Sequence, residues 1–437
     1  MKIAWVTPFA LRSSIGRVSA EVTRVLASRG HQVEILRCEA ENDAQEPLHP
    51  TRLPIHHWRD YPLDRLDTEF DLVVVNIGDN YPFHAGVFPV LDAARCLGVF
   101  HDFYIYNLFS GWLHHNHLDY RRHDAEIIAT YGADIADDAV ATRSGQRDIA
   151  QIAERLPMAE WLAARCAGAL AHARFYAPRL EAACPGPVAV QPLCCPDRAN
   201  PPAPAVFPKA AGDRLTLTTV GVMNANKRVA DILKALGGSA LLRDCVYRLV
   251  GPISADEQMR LEALSQDVGF SGLEIDGAVD DDQLDRRLAE ADIICCLRKP
   301  VLEGASGSAI EGMLSGRPTV VARAGFYGEL PDDLVFKVDG EIDIVEIRAV
   351  LERLAGDAEL RLSTGRAARA WALETLNAER YVDGLEMMAR AMVLSRPLEK
   401  IAGRVGAELK ALELGEDDPA VGRIGATLQR LFAPLTA

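Results

Sequence analysis

Short apolar runs alternate with amphipathic helical stretches along the chain, and the alternation stops once, at a proline-rich segment, before it starts again. Apolar runs this short suit strands buried on both faces, and the helices between them supply the crossovers that parallel strands require. The spacing predicts strands over 2–6, 31–36, 70–77, 97–100 and 169–172. A helix is predicted over 17–29, stopping at Gly30, and a polar helical stretch over 110–160. Pro192, Pro196, Pro201, Pro202, Pro204 and Pro208 then stiffen the chain and remove backbone donors, which marks a linker. Beyond it, strands are predicted over 215–220, 247–250, 293–297 and 319–322, and helices over 229–236, 284–290, 308–314 and from 346 onward. The expected fold class is α/β: two Rossmann-like parallel-sheet domains, 1–200 and 201–385, face a central cleft, with a C-terminal helical extension over 386–437.

Composition limits the ligands such a chain can take. With 49% hydrophobic and 25% charged residues it can bury two cores, but its net charge of −15 argues against a phosphate-backbone grip. No nucleic-acid partner is expected, and any anionic ligand needs a local site. The nine cysteines form no C-x-x-C pair, so they read as buried free thiols in a reducing compartment. The opening MKIAWVTPFALRSS reads as a first strand and not as a leader, and no apolar run approaches the roughly 20 residues of a membrane span. A soluble, cytoplasmic protein is expected. The amphipathic spacing in VGRIGATLQRLFAPL fits a packing or partner face, which leaves peripheral membrane or protein-complex contact open. His114, His115, His117 and His123 have metal-ligand composition but read as a solvated face, and no metal is expected.

Ligands of open parallel sheets bind beyond the carboxyl ends of the strands. Gly16, Gly78, His101, Gly221, Gly251 and Arg298 all follow predicted strands. The segment 303–311, EGASGSAIE, carries the most chemistry. Small residues let a ligand approach the backbone, and a helix beginning near Ser308 offers free N–H groups to a diphosphate. A carboxylate beside that seat accepts hydroxyl hydrogen bonds, as from a ribose or a hexose. Ser308 and Glu311 also read as a capping box, in which Glu311 only satisfies a backbone donor. Lys227 follows a strand as a lone cation, with a physical role opposite a diphosphate leaving group.

Glu303 and Glu311, with seven residues between them, a helix, and then Gly316-Arg317-Pro318 before a strand, resemble the E-x7-E signature of glycosyltransferase family 4. The stretch LRKPVLEGASGSAIEGMLSGRPTVV is similar to a subgroup with an LR-x-P and SGS pattern, and GDNYPFHAGVF followed by GVFHDF to that subgroup's approach to a strand-end His-Asp. The resemblance implies the GT-B fold, a retaining mechanism and no metal or other cofactor, with a nucleoside diphosphate sugar as donor substrate. It implies catalytic roles for His101, Glu303 and Lys227. It assigns donor binding to Gly16, Gly221, Lys227, Arg228, Gly251, Arg298, Glu303, Ser306, Gly307, Ser308 and Glu311, and acceptor-side roles to Asn80, His84 and Asp102. Val222 stands where many members of that family carry arginine. The expected activity is transfer of a hexose to a hydroxyl of a glycan or related acceptor. A sugar-nucleotide epimerase of the same fold and an inactive transferase-like scaffold are the alternatives.

Overall fold

The computed structural model describes residues 1–41, 46–195, 214–412, 414 and 418–432, so all but the first four residues of the proline-rich linker over 192–212 lie outside the described residues. Seven strands form the first sheet: β1 (Lys2–Thr7), β2 (Gln32–Arg37), β3 (Ile55–His57), β4 (Leu72–Ile77), β5 (Cys96–Phe100), β6 (Gly168–Ala171) and β7 (Val188–Val190). Their order is β3-β2-β1-β4-β5-β6-β7, and every pairing is parallel. The second sheet holds β8 (Thr216–Val220), β9 (Val246–Val250), β10 (Leu273–Gly277), β11 (Ile293–Cys296), β12 (Thr319–Ala322) and β13 (Phe336–Val338). Its order is β10-β9-β8-β11-β12-β13, again all parallel. Helices on both faces explain why β4, LVVVNI, is buried along its whole length.

Two Rossmann-like sheets with a cleft at their carboxyl ends are the GT-B arrangement. The C-terminal helices do not simply trail away. The helix Ala378–Ala411 crosses back to the first domain, where Tyr381, Leu385, Met388 and Met392 join the core that contains Leu170 of β6. A boundary at 385/386 therefore falls inside one continuous helix. Arg29 at the end of the first helix fixes this return by bonding Glu379 and Asp383, each at 2.7 Å.

Candidate active site

The two domains meet through backbone at their carboxyl ends. His101, just after β5, accepts from Gly304 N at 2.8 Å, and Leu302 O accepts from Phe103 N and Tyr104 N at 2.9 Å each. Asp102 and Glu303 form an antiparallel bridge within this clasp. A Cβ on Gly304 would lie 2.5 Å from the Tyr176 hydroxyl and 3.0 Å from His101 O, so only glycine permits the approach. Nearby, Glu329 of the second domain accepts from Arg174 N and Phe175 N at 2.9 and 2.7 Å.

The clasp leads into the helix Gly307–Leu314. Its cap is Ser306, which has extended backbone and accepts from Ala309 N at 3.3 Å. The cap expected at Ser308 is corrected: the chain already turns helical at Gly307, and Ser308 lies within the first turn. Its hydroxyl accepts instead from Arg298 Nη2 at 3.2 Å and lies 3.5 Å from Cys296 Sγ. The capping-box reading of Glu311 falls with it, because the third helical residue is Ala309. The N–H groups of Gly307 and Ser308 have no acceptor within the helix. A Cβ added at Gly307 would meet nothing within 4 Å, so there is open space beside this helix start.

Cations line the same end of the second sheet. Lys227 is buried and donates to Val220 O at 2.6 Å. Burial, and then the neighbouring Arg298, push its pKa down to about 7. Gly221 makes room for this lysine, since a Cβ there would lie 2.9 Å from Nζ, and Gly251 packs against Gly221 at a φ of +138°. Arg298 Nε lies 3.1 Å from Glu303 Oε1, and the Tyr327 hydroxyl donates to that same oxygen. Arg228 is turned aside: it pairs with Asp231 at 2.6 Å on its own helix. Beyond β10 a cavity of about 260 Å³ is lined by Asp276, Ala278, Val279, Gln283, Arg286 and Arg287.

The first domain supplies the other wall, with several departures from expectation. Gly16 is part of the first helix, and its N–H is held by Ser13 Oγ at 3.0 Å, so this amide is not open to a ligand. Its neighbour Arg17 crosses the cleft instead, 2.9 Å from Glu311 and 3.3 Å from Asp281. His84 is buried against Asn76 O at 3.1 Å, and burial lowers its pKa to about 4, so it does not face an acceptor. Asn80 is exposed at the start of the helix Tyr81–His84. Asp102 accepts from Asp79 N at 2.8 Å, and burial, with Glu303 adding repulsion, raises its carboxyl to about 7. His101 is buried, Nε2 on Asn76 Oδ1 at 3.0 Å and Nδ1 on His172 Nε2 at 3.3 Å. Of the four clustered histidines, His123 is buried against Tyr106 at 2.6 Å, which corrects the solvated reading for that residue.

Sequence reasoning missed Arg17, Asp79, Tyr327 and His172. Arg17 and Asp79 carried a signal, each following a strand-end glycine, and so did His172, which ends a predicted strand. Tyr327 joins the site through folding alone.

Fold and site together define a two-domain protein of GT-B type. Residues 214–346 match the family model described as glycosyl transferases group 1. Among curated proteins, the MMP alpha-(1->4)-mannosyltransferase of Mycolicibacterium hassiacum is 29% identical over 154 residues; the match covers 35% of this chain and only 36% of that protein's length. The solved sucrose-phosphate synthase from Thermosynechococcus elongatus shares the fold with a TM-score of 0.60 at 14% identity, over 90% of this chain and 100% of that one. HepE of Anabaena, solved with UDP and glucose, aligns with a TM-score of 0.57 at 13% identity, over 89% of this chain and 98% of that one. The likeness to the group 1 glycosyl transferases thus lies in residues 214–346, and the solved structures share the two-domain fold. Among the described residues no helix is long and apolar enough to cross a membrane.

Proposed function

We propose that the protein transfers a hexose from a nucleoside diphosphate sugar to a hydroxyl of a glycan or related acceptor, with retention of configuration. One observation carries this reading: an open helix start at Gly307, two buried cations and two carboxylates converge at the domain cleft. In this proposal the N–H groups of Gly307 and Ser308 hold the diphosphate. Lys227 and Arg298 balance the charge that develops on the leaving phosphate. Glu311 takes the ribose hydroxyls in place of Arg17, and Glu303, oriented by Tyr327 and Arg298, takes hydroxyls of the sugar. The acceptor enters from the wall that holds Asp102 and Asn80. The mannosyltransferase relative moves a hexose by its name, and HepE was solved with UDP and glucose, and both support the reading.

The test is incubation with a panel of uridine, guanosine and adenosine diphosphate hexoses, with and without sugar acceptors. Release of nucleoside diphosphate with acceptor-dependent product formation is expected, and proton NMR of the product reads the anomeric configuration. Recovery of an epimerised but intact donor would overturn transfer in favour of the epimerase. Activity unchanged by both Glu311→Ala and Lys227→Ala would move the site elsewhere.

A further inference from the structure

A line of hydrogen bonds runs through the first domain directly behind the clasp. Asn76 Nδ2 donates to Val6 O at 3.0 Å, which fixes the amide and turns its Oδ1 toward His101 Nε2, 3.0 Å away. At the far end His172 Nδ1 lies 3.0 Å from Gln191 O. Both ends of the imidazole pair therefore face acceptors, so His101 Nε2 and His172 Nδ1 must each carry a hydrogen. Between them, His101 Nδ1 and His172 Nε2 face each other at 3.3 Å. Two neutral rings would put one lone pair against another there. One added proton turns the same contact into an N–H···N hydrogen bond.

The geometry assigns to His101 and His172 a single shared proton, so that the pair acts as one cationic unit behind the diphosphate seat, with His172 as the positioning residue. This rests on the transferase reading only for the use of that charge. Burial opposes the charge: it pushes His172 down to about 4 and His101 well below its ordinary value, the latter with repulsion from His172 and His84. Losing the proton, however, requires one outer hydrogen bond to break, at Asn76 or at Gln191. The pair thus gains and loses its proton together with a rearrangement of one of its two rings, and the carbonyl of residue 101 holds Gly304. The other titratable groups around it are Asp102 on the same loop, His84 on the helix Tyr81–His84, and Tyr176, whose hydroxyl accepts from His172 N at 2.6 Å. Tyr381 of the returning helix lies 5.8 Å from the His172 ring, and Glu303 comes from the second domain. An anion at the helix start adds negative charge before the pair and favours the protonated state.

The experiment is nitrogen NMR of the full chain labelled at histidine, titrated with and without inorganic pyrophosphate. One common titration step for both rings is expected, with His101 Nε2 and His172 Nδ1 protonated below it. Pyrophosphate moves that step to higher pH, and His172→Gln, which offers His101 a neutral N–H donor, removes it while keeping the His101 tautomer. Independent titration of the rings, or a bare His101 Nε2 at low pH, overturns the proposal, as does a step that pyrophosphate leaves in place. No donor or acceptor is needed, so failure of sugar transfer and failure of the shared proton are read separately.

Discussion

Arg17 Nη2 of the first domain lies 2.9 Å from Glu311 Oε1 of the second, 294 positions further along the chain. The carboxylate proposed to take a ribose is therefore held by a guanidinium from across the cleft. The pair is only partly buried, so the contact contributes on the order of 1 kcal/mol or less. A pair of hydroxyl donors can replace it.

That relationship sets different consequences for its two members. Glu311→Ala removes the acceptor for the ribose and weakens nucleoside diphosphate binding about ten- to a hundredfold, the worth of a charge-assisted hydrogen bond. Arg17→Ala removes the competitor, together with its exposed contact to Asp281, and leaves affinity within about threefold of the parent, the scale of a partly exposed pair. Isothermal titration calorimetry with a nucleoside diphosphate panel checks both, and equal losses in the two variants would contradict the assignment.

Lys227 should make anion binding depend on pH. Its buried ammonium has a pKa near 7, so above that value the free protein has lost the proton that a bound diphosphate restores. Affinity for a nucleoside diphosphate is expected to fall as pH rises from about 7 to about 9, by up to about tenfold per unit. Calorimetry in buffers of different ionisation enthalpy would show proton uptake on binding. Lys227→Met should weaken binding and abolish the part of the uptake that this lysine supplies.

Asp102 makes stability, not binding, depend on pH. Its carboxyl is raised to about 7, first by burial, so between its ordinary value and about 7 the folded protein keeps a proton that the unfolded chain releases. Stability therefore falls as pH rises across that window. Asp102→Asn, which can still accept from Asp79 N, should flatten the decline in denaturation midpoint. A variant with the parent's slope would show that Asp102 does not titrate there.

Two glycines of one segment separate folding from binding. Gly304→Ala drives a Cβ to 2.5 Å from the Tyr176 hydroxyl and should loosen the clasp and lower the thermal midpoint. Gly307→Ala meets nothing within 4 Å and starts a helix, so it should leave stability unchanged or raise it by up to about 1 kcal/mol. Its methyl group would enter the space before the helix start, and pyrophosphate affinity should drop. A thermal scan and a binding curve on each variant suffice.

The interior of both sheets was legible from the chain alone. Strands such as Leu72–Ile77 are short apolar runs buried on both faces, and that condition writes itself into local sequence. The four strands that the pattern did not reveal, Ile55–His57, Val188–Val190, Leu273–Gly277 and Phe336–Val338, are the four sheet edges. An edge strand is only partly covered, so it needs no continuous apolar run and leaves no such trace. The same division holds at the site. Small residues beside a helix start are a local signature, so the helix start near Ser308 and the loop that carries Lys227 could be read without coordinates. Tertiary structure alone decided that Ser306 is the cap, that Arg17 answers Glu311, that His84 turns inward and that His101 meets His172. The Arg17–Glu311 and His101–His172 contacts join distant segments and are set by how the two domains pack, while the cap and the inward turn of His84 depend on where the chain enters each helix, which no periodicity encodes.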